Sequence, residues 1–231
     1  MRKLALALLL IFPFFAFAQV NKTTDKRFSM VYKTDKTIEK VYSKAKEWIA
    51  VNFKSANEVV QLDTRDKIIA KGILPFTIKS QEYLFDYVGD ITLTIAIREG
   101  RYKIDLDLTG KAYAIIKPET KFDWEMFAAG TDYTKDEFLA FSLHLSEKEG
   151  AYIGLSKKQK EKMIKYITKN IDTAYADYLV NKELFDEQIN NLFKSIKEGI
   201  DAEDDDWKNP CRYARSKLNL GRVPMLSDVL H

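Results

Sequence analysis

Residues 91–109 have the sequence ITLTIAIREGRYKIDLDLT, and this stretch decides the fold. Apolar residues occupy every second position on either side of Glu99 and Gly100, and mostly polar residues fill the positions between them. Successive side chains of a strand point to opposite faces of a sheet. The pattern therefore predicts two antiparallel strands joined by a tight turn, with one face of the sheet buried and the other in water.

A helix precedes this hairpin and is suited to cover its apolar face. Apolar residues recur at three-and-four spacing from Ile38 to Phe53, whereas lysine and glutamate take the other side. The spacing predicts a helix over about 36–54, with Thr34 or Asp35 as its N-cap. A strand over 27–32 is predicted before it.

A second hairpin is predicted between this helix and residue 91. Two runs rich in β-branched residues, 58–62 and 67–73, flank the polar segment 63–66. Residues 76–88 alternate only weakly, and we expect them to form a loop that leads into the next strand.

This order of elements resembles a bacterial domain of unknown function, DUF family 4468, which is described as having a TBP-like fold. The segments that carry the resemblance are TIEKVY (37–42), KEWIA (46–50), FKSANEVVQLD (53–63), KIIAKG (67–72) and IREGRYK (97–103). It covers residues 27–116. It implies an α+β fold of the TBP-like order β-α-β(4)-α, an antiparallel sheet backed on one face by helices, and export to a Gram-negative bacterial envelope. It implies no activity and no functional residues.

A C-terminal helical extension follows the predicted sheet. Thr134 with Glu137 and Ser156 with Gln159 have the spacing of capping boxes. We expect 157–180 to be the last helix of the TBP-like order, and 183–199 either to continue it or to fold back at Asn181. The predicted organisation is a signal peptide at 1–18, a TBP-like domain at 27–120, a mostly helical region at 121–200 and a polar, loosely ordered tail at 201–231.

The N-terminus has the pattern of a secretory signal peptide. Arg2 and Lys3 precede the apolar run 4–18, which ends with small residues at Ala16 and Ala18. The run is shorter than the roughly 20 residues that a membrane-spanning helix needs. We expect cleavage after Ala18, export to the periplasm or cell envelope, and no transmembrane anchor in the mature chain; a retained anchor is the weaker alternative.

The composition excludes several classes of site. A single cysteine cannot form a multi-cysteine zinc site, and two histidines leave very few ways to assemble a transition-metal site. We therefore expect no metal site and no cofactor. The sequence contains none of the common catalytic motifs, so no catalytic residue is assigned, and His144 is interpreted as an ordinary, partly buried histidine. Because 37 basic residues face 34 acidic ones, we expect no nucleic-acid partner.

One face of the predicted sheet is the candidate binding surface. If the apolar residues of 91–109 face the helices, the opposite face carries Thr92, Thr94, Arg98, Lys103, Asp105, Asp107 and Thr109. Its mixed charge and its hydroxyl groups suit a polar small ligand or a protein partner. A plain solvated sheet surface is the competing interpretation.

Three classes of function remain open from the sequence. The favoured one is a non-catalytic envelope domain that binds a protein partner or polar ligand. The second is an envelope assembly or structural protein that docks through its C-terminal helices, and the third is a carboxylate-based hydrolase using Asp105 and Asp107. Two charged runs are interpreted as solvated surface: the acidic run 203–206, and the basic cluster Lys157, Lys158, Lys160 and Lys162.

The predicted signal peptide has a direct test. When the full chain is expressed in a Gram-negative host, we expect the periplasmic fraction to contain a protein that begins at Gln19. Intact-mass measurement and N-terminal sequencing check this, and Ala18→Leu should block processing because a large side chain does not fit the cleavage pocket. A full-length product that stays in the membrane fraction would contradict the prediction.

Overall fold

The computed structural model describes residues 21–24, 26–53, 59–80, 82–115, 121–127, 131–148 and 150–203. The predicted signal peptide, the acids 204–206 and Cys211 lie outside the described residues. The predicted division of the chain into domains stays a prediction.

The centre of the fold is one antiparallel sheet. Its strands are β1 (Asn21–Thr24), β2 (Arg27–Lys33), β3 (Val60–Thr64), β4 (Lys67–Ser80), β5 (Tyr83–Arg98), β6 (Arg101–Ala114) and β7 (Lys121–Phe122). They lie in the order β1-β2-β6-β5-β4-β3, and β7 pairs with β6. The hairpin predicted over 91–109 is confirmed as the central pair β5 and β6, which turns at Gly100 with a positive φ of 72°.

Four α-helices and one short 3-10 helix complete the described chain. They are α1 (Ile38–Asn52), a 3-10 turn (Trp124–Phe127), α2 (Lys135–Lys148), α3 (Lys157–Lys169) and α4 (Ile171–Asp201). Taken from β2 through β3–β6 to α4, the order is β-α-β(4)-α, with α2 and α3 inserted before the last helix. The predicted α+β fold class is confirmed.

The cap of α1 differs from the prediction. Thr37, rather than Thr34 or Asp35, is the N-cap, and its side chain accepts a hydrogen bond from the Lys40 amide at 3.3 Å. A capping oxygen must belong to the residue just before the first helical turn to reach the third amide of the helix. Thr34 stabilises the preceding turn instead, because its hydroxyl accepts from the amide of Lys36 at 3.2 Å.

Residues 76–88 do not form the predicted loop. β4 continues to Ser80 and β5 begins at Tyr83, and the two strands stay in register along their whole length. The end of this hairpin is largely outside the core, and residues 83–86 are all exposed. No buried face requires alternate apolar residues there, so the sequence carries only a weak strand pattern.

The last helix begins later than predicted, and of the two alternatives for 183–199 the continuation of that helix is confirmed. The break falls at Asn170, where α3 ends and α4 begins, and α4 then continues through Asn181 as one helix. The side chain of Asn181 binds the β4 backbone: its Oδ1 accepts from the Lys79 amide at 2.6 Å and its Nδ2 donates to the Lys79 carbonyl at 2.8 Å. The asparagine therefore attaches the helix to the sheet and does not end it.

α1 and α4 cover the same face of the sheet. The buried apolar residues of α4 that join the main core all lie after residue 180, outside the predicted helix 157–180; we call them the α4 stripe, and they are Phe185, Ile189, Phe193, Ile196 and Ile200. From α1, Val41, Ala45, Trp48 and Ile49 join the same core. The helices meet closely, since Trp48 Nε1 donates to Ser195 Oγ at 3.1 Å, and a Cβ on Gly199 would come within 2.5 Å of the Trp48 ring.

Truncating one residue of the α4 stripe should destabilise the whole fold. Ile196 is 0% exposed, so Ile196→Ala should lower the free energy of unfolding by about 2–5 kcal/mol, through lost burial and the cavity it leaves. Urea denaturation followed by circular dichroism measures the change.

The same substitution on a neighbouring helix is the control. Ile164 of α3 is 42% exposed, and Ile164→Ala should cost less than about 1 kcal/mol. Equal losses for the two variants would contradict the assignment of the α4 stripe to the core.

Candidate functional site

The seven predicted site residues lie together on the face opposite α1 and α4. Residues 91, 93, 95 and 97 of β5, and 102, 104, 106 and 108 of β6, are buried, as the alternation predicted. In the register of the pair, Thr92 lies opposite Asp107 and Thr94 lies opposite Asp105. The pairing of β5 with β6 thus places the seven predicted residues at neighbouring positions on one face of the sheet. We call this face, opposite α1 and α4, the open face.

β2 extends the open face by a third strand. Arg27 lies opposite Asp107, and Ser29 lies opposite Asp105. The Arg27 guanidinium binds the Asp107 carboxylate with two hydrogen bonds, from Nη2 to Oδ2 at 3.0 Å and from Nε to Oδ1. The hydrogen bond to Asp107 raises the pKa of Arg27 above its ordinary value.

Further polar contacts connect neighbouring side chains of this face. Lys103 Nζ lies 2.8 Å from Asp105 Oδ1, and the hydroxyl groups of Thr92 and Thr109 are 3.3 Å apart. Ser29, next to Asp105 in the register, is only 6% exposed. The centre of the face is therefore a packed polar layer with defined side-chain positions.

The cations of the open face concentrate at the turn between β5 and β6. Lys33, Arg101 and Arg98 occupy one row across β2, β6 and β5, and all three are exposed. Lys103 and Lys67 occupy the next row, separated by Ala96. Arg98 and Lys103 of the predicted set are thus at the basic end, and Asp105 and Asp107 lie in the middle.

The contribution of β2 to the site was not predicted from the sequence. Arg27 and Ser29 join the site only because β2 pairs with β6, about eighty residues later in the chain. Alternation within 27–32 could have assigned them to one strand face, yet the identity of the neighbouring strand is a long-range property that this pattern does not contain.

A β-bulge lies at the end of the open face that is farther from the turn at Gly100. The register between β5 and β6 shifts between Gly89 and Ile91, so that Asp90 faces the segment 109–111. The Asp90 carboxylate accepts from the Lys111 amide and from the Tyr113 hydroxyl, both at 3.1 Å. Gly110 adopts a positive φ of 59°, and a Cβ there would come within 2.3 Å of Asp90 Oδ2.

Trp124 contacts the same bulge from the face of the sheet that α1 and α4 cover. Its Nε1 lies within hydrogen-bonding distance of two carbonyl oxygens at the bulge, those of Asp90 at 3.2 Å and Thr109 at 3.0 Å. Its ring lies against Gly89, where a Cβ would come within 2.0 Å of the indole. This role was not predicted from the sequence, because Trp124 lies after the central strands in the chain and only the tertiary fold brings it to the bulge.

The other residues that the sequence singled out lie away from the open face or outside the described chain. His144 is exposed on α2, which corrects the expectation that it is partly buried. No helix in the described part of the chain is both long and apolar enough to cross a membrane.

The part of the chain that contains α1 and most of the sheet is similar to a known protein family. Residues 29–109 match the sequence model of the family described as "Domain of unknown function (DUF4468) with TBP-like fold". Residues 29–109 are therefore similar to the DUF4468 family. The match begins in β2 and ends at the bulge, so it contains all seven predicted site residues, and it confirms the resemblance seen in the sequence.

Solved structures of similar proteins are known. A DUF4468 family protein from Bacteroides ovatus ATCC 8483 is 14% identical, with 80% of this chain and 92% of that chain covered and a TM-score of 0.43. A TBP-like protein from Parabacteroides distasonis ATCC 8503 is 12% identical, with 80% of this chain and 99% of that chain covered and a TM-score of 0.43. No curated protein matches the chain.

The bulge should be sensitive to a single methyl group. Gly110→Ala places a Cβ in the left-handed region and against the Asp90 carboxylate, and we expect it to cost about 3 kcal/mol or more of unfolding free energy. Gly100→Ala is the matched control, since its φ is also positive while no heavy atom lies within 4 Å of the added Cβ.

The control isolates the contact with Asp90 from the backbone preference. Gly100→Ala should cost only about 1–2 kcal/mol, the usual penalty of the left-handed region. Urea denaturation of both variants measures the difference. If Gly110→Ala were as stable as Gly100→Ala, the described packing of Asp90 over the bulge would be wrong.

Proposed function

We propose that this protein is an exported, non-catalytic binding protein of the bacterial envelope, whose DUF4468 domain holds a protein partner or a polar ligand on the open face. The observation that carries the proposal is the contrast between the two faces of the sheet. α1 and α4 pack on one face, whereas polar side chains of three adjacent strands, β2, β6 and β5, lie on the other.

The rigidity of the open face supports binding. Its side chains stand on paired strands of the core, and salt bridges and hydroxyl contacts hold several of them in place. A partner that binds such a surface needs to order fewer side chains than one that binds a loop, so less of the interaction energy is lost to conformational entropy. Threonine hydroxyls can donate as well as accept, which suits a polar partner.

The acidic middle of the open face argues against nucleic acid as a partner that covers the whole face. Two carboxylates, Asp105 and Asp107, lie in the middle of the face, where they would repel phosphate groups. Arg27, which could otherwise bind a phosphate, already binds Asp107 in a bidentate arrangement. A partner with both donors and acceptors fits this surface better.

The same ion pairs favour a binding role over the carboxylate-hydrolase alternative. Hydrolysis by two carboxylates needs one of them as a proton donor next to the scissile bond. Asp107 binds Arg27 and Asp105 binds Lys103, so each carboxylate has a cation beside it within the sheet. This is the arrangement of structural salt bridges.

The burial of α4 favours the open face over docking through the C-terminal helices. That alternative predicts a surplus apolar surface on 183–199. Phe185, Ile189, Phe193 and Ile196 are each 3% exposed or less, so the apolar stripe of this segment is used within the domain.

The experiment compares two charge-matched triple variants. The tagged protein is purified from cross-linked native envelopes, and its partners are identified by mass spectrometry. Arg98→Ala/Asp105→Ala/Asp107→Ala changes the open face, whereas Arg65→Ala/Glu39→Ala/Asp63→Ala makes the same charge changes at exposed positions of α1, β3 and the turn after it.

We expect the first triple variant to lose at least about tenfold in affinity for the purified partner, and the control to bind like the wild type. Circular dichroism confirms that both variants are folded. For a small ligand, native mass spectrometry of the envelope-purified protein makes the same comparison. An open-face variant that binds as well as the wild type would refute the proposal.

A further inference from the structure

α3 differs from the helices of the core in that none of its residues is buried. Only Met163 and Ile167 are half-buried, where the helix packs beside α2 and α4. The thirteen residues of α3 include one acid, Glu161, and six exposed lysines: Lys157, Lys158, Lys160, Lys162, Lys165 and Lys169.

Five of these lysines share one side of the helix. At about 100° per residue, they fall within an arc of about 140°, opposite Met163 and Ile167. We call this set the lysine face; it consists of Lys157, Lys158, Lys162, Lys165 and Lys169. Since Met163 and Ile167 face the protein, the lysine face is directed into solvent.

None of the α3 lysines forms an ion pair with an acid in the described part of the chain, although Glu161 lies within the arc of the lysine face, four residues from Lys157 and from Lys165. Other surface lysines do: Lys46 pairs with Asp63, Lys111 with Asp123, and Lys135 with Asp172. Crowded like charges repel each other, and cations in the first helical turn also oppose the helix dipole. The capping box of Ser156 and Gln159 holds this end of the helix nonetheless, with the Gln159 side chain accepting from the Ser156 amide at 2.8 Å.

Exposed apolar side chains flank the lysine face. Ile164 borders it on one side and is 42% exposed, and Tyr166 borders it on the other and is 69% exposed. Ile153, in the turn before α3, is 84% exposed. Isoleucine and tyrosine beside lysines are typical of surfaces that contact the headgroup region of a bilayer, where the apolar part leaves water and the charges bind phosphate.

Glu203, the first acid of the run 203–206, lies at the end of α4 that is far from α3. It comes just after the C-terminus of α4 and lies 3.8 Å from Lys36 Nζ. α3 ends where α4 begins, and a 31-residue helix is about 46 Å long. The start of the acidic run is therefore held at the opposite end of α4.

We propose that the lysine face of α3, together with Ile164 and Tyr166, binds the surface of a bilayer that contains anionic phospholipids. The complementary charge is supplied by lipid phosphate, and each lysine near such a surface strengthens binding by about fivefold. This inference concerns a different surface from the open face and does not depend on the proposed function.

The test is cosedimentation of the protein with vesicles. The chain from residue 19 onward is used, because the apolar run 4–18 would itself enter lipid and every described residue is retained. We expect binding to vesicles of phosphatidylcholine mixed with phosphatidylglycerol and much weaker binding to phosphatidylcholine alone. Raising the salt from about 0.1 M to about 1 M should release the protein, since the screening length falls from about 10 Å to about 3 Å.

Two triple variants with the same charge change identify the surface. Lys158→Gln/Lys162→Gln/Lys165→Gln should lower the affinity for anionic vesicles by roughly 100-fold. Lys33→Gln/Lys67→Gln/Lys71→Gln, at exposed positions of the sheet, should bind within about threefold of the wild type. Ile164→Ser/Tyr166→Ser should weaken binding without changing the response to salt.

Three results would overturn the proposal. The first is that the protein does not bind anionic vesicles, and the second is that the two lysine variants lose the same affinity for them. The third is that soluble polyglutamate displaces the protein completely from the vesicles while Ile164→Ser/Tyr166→Ser leaves vesicle binding unchanged. The last result would assign the lysine face to an acidic protein instead of a lipid surface. Because Lys158→Gln/Lys162→Gln/Lys165→Gln changes only α3 and leaves the open face intact, partner binding there remains measurable with this variant, and the two proposals can fail separately.

Discussion

The packing of α4 against the sheet is the interaction on which the rest of the structure depends. Five of its apolar residues enter the main core, and burying each such side chain contributes about 1.5–3 kcal/mol before entropy is counted. That gross contribution is comparable to the whole net stability of a typical domain. α4 also fixes α1 through Trp48 and Gly199, so the two helices cover one face of the sheet as a unit, and the polar residues are left on the other.

The geometry of the open face depends in turn on how the strands end. At one end the two-residue turn at Gly100 brings Arg98 and Arg101 together, and at the other the bulge around Gly110 shifts the register between β5 and β6. Trp124 links the bulge to the core, because its ring packs with Phe76 and Phe185 while its Nε1 points at two backbone carbonyl groups of the bulge. The aromatic core and the polar face are therefore coupled through one side chain.

Local patterns predicted the elements that are decided locally. Strict alternation in 91–109 was sufficient to place seven polar residues on one face, and side-chain spacing was sufficient for α1 and the capping box at Ser156. The features that the sequence did not predict, or predicted wrongly, have a common cause. The end of the β4–β5 hairpin has no buried face to impose a pattern, Asn181 binds a strand that lies about a hundred residues earlier in the chain, and Arg27 meets Asp107 through strand pairing. Each depends on tertiary contacts that a single segment does not contain.

One face of the sheet is covered and the other is accessible, and thiol labelling of the folded protein tests this asymmetry most directly. In a Cys211→Ser background, Val31→Cys lies on the open face, where Val31 is 52% exposed, and Ala70→Cys lies under the helices, where Ala70 is 0% exposed. We predict that a maleimide labels Val31→Cys rapidly, and labels Ala70→Cys at least about a thousandfold more slowly, at the rate set by unfolding. Protection of Val31→Cys, or equal labelling of both positions, would contradict this account of the fold and of its binding surface.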